Sequence, residues 1–204
     1  MRTATPADVP AVRTVMAHAF ADDPMTRWMF PEPTFADTTA RAEAVATYHG
    51  LHAERYLAGA DRSRVAEAGG AVVGVALWRW PDDDPSWPGV LPTTAGVLTA
   101  LVGSEHAQHV AAGFAAERAV RPQGTFAYLH YLAVDAAHRG RGLASGLVRE
   151  GLARAEADGL PALVETTAPV NVPVYEHLGF ALAAQVRLGE DGPVCWILTT
   201  GPGR

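Results

Sequence analysis

The segment His138-Arg139-Gly140-Arg141-Gly142-Leu143-Ala144-Ser145 sets two glycines and two arginines between a strand-like run and a helix-like run. At such a junction the first helical amides lack intrahelical partners and carry partial positive charge. Glycine lets the backbone approach an anion closely, so the chemistry on offer is the binding of a pyrophosphate-sized group. Taken alone, Gly-x-Gly reads equally well as a plain helix-entry turn. Other groups offer less. His106 and His109 lie three apart on an expected helix without a third ligand of metal-site spacing, so no metal is expected. Asp82-Asp83-Asp84 reads as a solvated loop, and attraction for a cationic substrate is the sharper alternative. All 16 basic residues are Arg, so no lysine amine can act as base or nucleophile.

The surrounding elements follow from spacing. Arg2–Thr5 suits a short first strand. Thr5-Pro6-Ala7-Asp8 then has the form of a capped helix start, followed by Val9, Val12, Met16 and Phe20 on one face. Asp22-Asp23-Pro24 closes that helix. Met25–Pro33, with Trp28, Met29 and Phe30 between prolines, reads as an ordered loop, and a second helix is expected from Asp37 to Leu57. Arg64–Ala68 and Ala71–Trp80 flank Gly69-Gly70 as two strands around a tight turn. Pro81–Pro92 is a loop, and two helices are expected over Thr93–Val102 and Glu105–Val120. The pattern then becomes strand, turn, helix, strand over Thr125–Val134, Asp135–Gly140, Arg141–Asp158 and Ala162–Thr167. A short helix over Asn171–Leu178 and a final hairpin, Phe180–Leu188 with Val194–Thr200, complete an α/β domain with a mixed sheet.

Two features lift the anion-binding reading. The strand Tyr128–Asp135 runs directly into the glycine turn, and some thirty residues later comes Asn171-Val172-Pro173-Val174-Tyr175-Glu176-His177-Leu178-Gly179-Phe180. Arg139-x-x-Gly142-x-Ala144 resembles the acyl-CoA motif of the GNAT superfamily, (Gln/Arg)-x-x-Gly-x-(Gly/Ala). The Tyr-Glu-x-Leu-Gly-Phe ending is similar to that superfamily's last block. Ala19-Phe20-Ala21-Asp22, Leu163-Val164-Glu165-Thr166 and the Asn171–Phe180 block look like the puromycin N-acetyltransferase group within it. The resemblance covers nearly the whole chain, with Pro81–Gly124 carried only by the general plan.

The resemblance implies one GNAT domain over residues 1–204: a mixed, mostly antiparallel sheet flanked by helices and split between strands 4 and 5. Acetyl-CoA would lie in the split and leave as coenzyme A. Leu132, Ala133 and Val134 would pair with its pantetheine. Amides and side chains of Arg139, Gly140, Arg141, Gly142, Leu143, Ala144 and Ser145 would hold its pyrophosphate. Asn171 resembles a pantetheine contact, with a helix N-cap as the alternative. Tyr175 would protonate the leaving thiolate, since a phenol is an acid at neutral pH. His130 is a candidate base because histidine titrates near neutrality; a core histidine and a water chain are the alternatives. It shares a strand face with Tyr128, as i and i+2 residues do. Trp28, Phe30, Trp78, Trp80 and Tyr128 are candidate walls of an acceptor pocket, and Glu165 reads as structural.

The implied reaction is direct acetyl transfer to a primary amine of a small molecule, antibiotic-like or aminoacyl-type. A peptide or protein acetyltransferase and a non-catalytic acetyl-CoA-binding module are the alternatives. Composition narrows the rest. A chain of 204 residues supports one sizeable core, and a net charge of −6 without a basic run excludes a phosphate-tracking surface. No apolar stretch is long enough to span a bilayer, and Met1–Pro6 lacks a signal-like run, so a cytoplasmic enzyme is expected, as monomer or homodimer. Cys195 is the one cysteine.

Overall fold

A computed structural model describes residues 1–58, 62–83 and 92–201. Its sheet has seven strands: β1 (Arg2–Thr3), β2 (Arg64–Ala68), β3 (Ala71–Arg79), β4 (Ala127–Val134), β5 (Ala162–Thr166), β6 (Ala181–Arg187) and β7 (Val194–Thr199). Their order is β1-β2-β3-β4-β5-β7-β6. Every pair is antiparallel except β4 with β5. The helices are α1 (Val9–Phe20), α2 (Pro24–Met29), α3 (Thr38–Leu57), α4 (Thr94–Val102), α5 (Ser104–Val120), α6 (Leu143–Ala157) and α7 (Val172–His177). Among the described residues, no helix is long and apolar enough to cross a membrane.

Local chemistry explains most boundaries. The Asp8 carboxylate accepts from the Thr5 amide at 2.8 Å and the Thr5 hydroxyl at 3.0 Å, which sets the entry to α1. Asp37 accepts from Ala40 N at 2.8 Å and starts α3. Gly69 and Gly70, at φ 58° and 81°, form the left-handed β2–β3 turn. Two expectations are corrected. Met25–Pro33 is not simply a loop, because Asp23 caps a short helix there by accepting from Met25 N at 2.9 Å. The helix expected from Arg141 begins at Leu143, since Gly140 and Gly142 both hold φ 75°. In the aspartate run Asp82 is exposed and pairs with Arg62 at 2.7 Å, and Asp83 accepts from Trp80 N at 2.6 Å. Asp84 and the rest of that loop, to residue 91, lie outside the described residues.

The strands separate two packed layers. On one side α1 and α3 bury Val12, Met16, Ala53 and Leu57 on Val75, Leu77 and Ala133. Beside them Trp28, Phe30, Tyr48, Leu98 and Val110 cover Tyr128, Leu163, Cys195 and Ile197. On the other side α6 and α7 set Leu147, Val148, Ala155 and Tyr175 on Ala76, Trp78, Leu129, Val164 and Leu198. Successive residues of the regular stretches of β3 and β5 thus serve opposite cores, as the period of two requires.

Two irregularities of β4 place the site. Leu77 pairs with Tyr131 while Trp78 pairs with Leu129, so His130 is the extra residue of a β-bulge. The bulge turns His130 and Tyr131 to the same side. On the other edge, β4 pairs with β5 only at Ala127↔Ala162, Tyr128↔Leu163 and Leu129↔Val164. Both strands continue beyond those pairs, β4 to Val134 and β5 to Thr166, and they part as they go.

Candidate active site

Leu132, Ala133 and Val134 stand opposite Ala76, Val75 and Gly74 of β3, while their other edge faces the gap beyond Leu129. A chain carrying amides can add to that free edge as a strand would. The strand then turns through Asp135, which accepts from Ala137 N at 3.0 Å and from His138 Nδ1 at 2.9 Å. Beyond it, Gly140 and Gly142 leave nothing within 4 Å of where a Cβ would stand. Helix α6 starts without a side-chain cap, so among the described residues no side chain takes up the first amides at Leu143, Ala144 and Ser145. Arg139 gives Nε to Val134 O at 3.2 Å, and Arg141 gives Nη2 to Ala137 O at 3.3 Å. Neither arginine has a carboxylate partner among the described residues, and both are exposed. An open, uncapped, arginine-flanked nest at the end of a parting strand pair fits a nucleotide pyrophosphate with its pantetheine arm in the gap.

At the far side of the gap Tyr175 is buried on α7, edge-on to Phe180 at 5.7 Å. Burial, and then the negative charge of Asp23, raise its pKa above the ordinary phenol value. Asn171 makes no helix-capping bond; its side chain donates to Thr166 Oγ1 at 3.2 Å and holds α7 to the end of β5. Asp23 is a group the sequence reading used only as a helix stop. Its carboxylate accepts from Thr167 Oγ1 at 3.1 Å as well as from Met25 N, and its pKa is raised, chiefly by burial. The sole signal for it was the Asp-Pro pair that marks a capped helix.

His130 accepts or donates at Nδ1 with the Tyr56 hydroxyl, and its ring stacks on Tyr128 with centroids 5.0 Å apart. Its pKa is driven well below the usual histidine value by burial, then by His52, Arg79, Arg121 and Arg55. The titration near neutrality that recommended it is therefore absent, and the imidazole is neutral. Behind it, His49 and His52 are buried with no hydrogen-bond partner at either ring nitrogen among the described residues, pushed down by desolvation to about 4 and about 3.

The candidate acceptor aromatics divide. Phe30, at 0% exposure, and Trp78, at 2%, are core side chains on opposite faces of the sheet, which removes them from any pocket wall. Trp28 is buried against Phe114 and donates to Asp191 at 3.1 Å. Trp80 and Tyr128 do border a pocket. Tyr128 donates to Glu165 Oε2 at 2.9 Å, so Glu165 belongs to a buried polar cluster. Its Oε1 lies 2.7 Å from Arg121 Nη2, off the N–H direction, and Arg121 is also bonded to Glu117 at 3.0 Å. Burial, then the hydrogen bond from Glu117, raise Glu165 to about 8. His106 faces Trp28 O and His109 faces Asp191, so the pair is spent on packing.

Residues 22–180 match the family described as Acetyltransferase (GNAT) family. The chain belongs to it. The acetyltransferase is similar over 99% of its length, and 95% of the other's, to a Corynebacterium glutamicum protein described as histone acetyltransferase HPA2 and related acetyltransferase, at TM-score 0.68 and 28% identity. The fold is shared with arylalkylamine N-acetyltransferase 2 from Aedes aegypti, at TM-score 0.60 and 14% identity over 98% and 96% of the chains. It is shared too with polyamine N-acetyltransferase from Drosophila melanogaster, at TM-score 0.55 and 18% identity over 97% of each. Acetyl-CoA is the donor that this family uses.

Proposed function

We propose that this acetyltransferase moves the acetyl group of acetyl-CoA directly to the primary amine of a small molecule, with coenzyme A as product. The observation that carries the reading is the parting of β4 from β5 just past Leu129, at the foot of an uncapped helix flanked by two arginines that have no carboxylate partner among the described residues. Arg139–Ser145 hold the pyrophosphate, and the free edge of Leu132–Val134 aligns the pantetheine. Tyr175, kept protonated by burial and Asp23, gives its proton to the departing thiolate. Direct transfer fits the state of Cys195, which is fully buried and whose thiol is pushed up to about 12, so it offers no thiolate for an acyl-enzyme. This reading places the enzyme in the cytoplasm as one domain, monomeric or homodimeric.

The acceptor's ammonium must lose a proton before attack. Asp23 is the carboxylate whose charge reaches Tyr175, and its anion both attracts an ammonium and can take its proton. His130 is the second reading; it is neutral and beside the gap, but Arg79 and Arg121 disfavour its imidazolium. The acceptor class that fits, antibiotic-like or aminoacyl as in the puromycin N-acetyltransferase group, is an amine on an apolar or aromatic body. The fold's occurrence in arylalkylamine and polyamine acetyltransferases agrees with a small amine. Thiol release from acetyl-CoA over a panel of aryl, aminoacyl and aminoglycoside amines tests it. Higher kcat/KM on aminoglycosides sinks the acceptor class, and no release with any amine sinks the reaction.

A further inference from the structure

At the end of β4 away from the nucleotide nest lies a pocket of about 370 Å³, bordered by Arg79, Trp80, Asp83, Arg121, Tyr128 and Leu163 among others. Its volume is that of a small-ligand site. It is joined to the transfer site by one strand. Tyr128 forms part of its wall, His130 stacks on Tyr128, and the strands part immediately past Leu129. Two residues of strand, roughly 7 Å, separate the pocket from the mouth of the gap.

The charges around this pocket do not cancel. The Arg121 guanidinium lies 5.0 Å from the Tyr128 ring and is already held between Glu117, at 3.0 Å, and Glu165, at 2.7 Å. Asp83 is turned to its own loop, accepting from Trp80 N, and its other oxygen lies 3.6 Å from Arg62. Arg79 is different. It is exposed at the end of β3, its guanidinium stands 5.4 Å over the Tyr128 ring, and among the described residues it has no hydrogen bond or carboxylate partner. An arginine fork laid on an aromatic face and open to a pocket is well suited to a planar carboxylate.

We propose that this pocket receives the acceptor's tail and that Arg79 holds a carboxylate there, about two strand residues from the amine that is acetylated. The inference rests on the acetyl-transfer reading above and names its substrate class: an amine with an apolar or aromatic body and a remote carboxylate. A cationic tail, as in a diamine, meets the Arg79 charge and is disfavoured. The contact is remote from the reacting atoms, so it acts mainly through KM.

The test compares 4-(2-aminoethyl)benzoate with its carboxamide, which has the same shape without the charge. Wild-type enzyme is expected to favour the acid in kcat/KM by about tenfold or more, the scale of a hydrogen bond to a charged group. Arg79→Gln is expected to erase the preference by raising KM for the acid, and Arg79→Lys to restore part of it. Equal kcat/KM for acid and amide in the wild type overturns the proposal, as does a preference that survives in Arg79→Gln. Calorimetric binding of the acid to wild type and Arg79→Gln answers the same question without turnover. Tighter binding to wild type together with no thiol release from any amine of the panel would sink the acetyl-transfer reading and leave the carboxylate subsite standing.

Discussion

Tyr175 keeps its proton because its ring is buried and the Asp23 carboxylate stands near enough to oppose a phenolate. Burial favours the phenol form, and in the proposed reaction the value of this acid lies in its position. Tyr175→Phe keeps the ring and its edge contact with Phe180, so kcat is expected to fall about ten- to a thousandfold with acetyl-CoA affinity little changed. Wild-type single-turnover rates in that variant would remove Tyr175 from the chemistry. Asp23→Asn retains a cap acceptor for α2 and removes the charge. The expected result is a kcat/KM loss of at least about a hundredfold and the disappearance of the acidic limb of the pH–rate profile. His130→Gln should leave that limb in place, since a histidine held neutral does not titrate where the enzyme works. If the limb instead vanishes with His130→Gln and persists in Asp23→Asn, the assignments exchange.

Elements contribute through close approach and through charge. Gly142 adopts φ 75° at the entrance to α6, a left-handed conformation in which a β-branched residue strains the turn. Gly142→Val should therefore abolish most of the thermal shift produced by acetyl-CoA, and an undiminished shift refutes the nest. Gly151 of α6 lets that helix settle on β3: a Cβ there would come within 2.2 Å of the Trp78 ring, itself 2% exposed. Overpacking predicts that Gly151→Ala loses about 1–3 kcal/mol in denaturant unfolding. The tie between β5 and the end of α5 responds to pH. Glu165 is raised from 4.5 to about 8, so between those values the folded chain keeps a proton that the unfolded chain has lost. Stability falls as pH rises through that window and levels off above it. Glu165→Gln is expected to flatten the decline in Tm between pH 5 and 8, and an unaltered slope would place the titration elsewhere.

For the whole molecule the donor acts as a ligand of the folded state. At a hundredfold excess over its dissociation constant, acetyl-CoA should stabilise the protein by about 2.7 kcal/mol, read as a rise in Tm with concentration. Helices on both faces hold the parting strands, so the gap is supported by packed cores on both sides of the sheet. In the proposed arrangement the Arg139–Ser145 turn and the Arg79 pocket lie at opposite ends of β4, with the transfer point between them. A two-substrate complex can form there without either ligand displacing the other, and the initial-rate pattern with acetyl-CoA and amine should be intersecting lines. Parallel lines would point to an acyl-enzyme.

What could be read from the chain alone was what neighbouring residues decide among themselves. The alternation of β4, the amphipathic run of α6, the Thr5–Asp8 entry and the paired glycines all act within a few residues, where steric and capping forces are independent of the rest of the fold. The glycine turn over Arg139–Ser145 and the start of α6 were legible for that reason. The remaining site chemistry joins residues distant in sequence: Met25 to Thr167 across 142 positions, Tyr128 to Glu165 across 37, and Tyr56 to His130 across 74. Such meetings depend on strand register and on the bulge at His130, which sets two adjacent side chains on one face against the period of two. Burial is decided at the same level, and burial depresses His130, raises Asp23 and Glu165, and closes Phe30 and Trp78 to any ligand. Desolvation is a property of everything packed around a group, so no local pattern in the chain could have reported it.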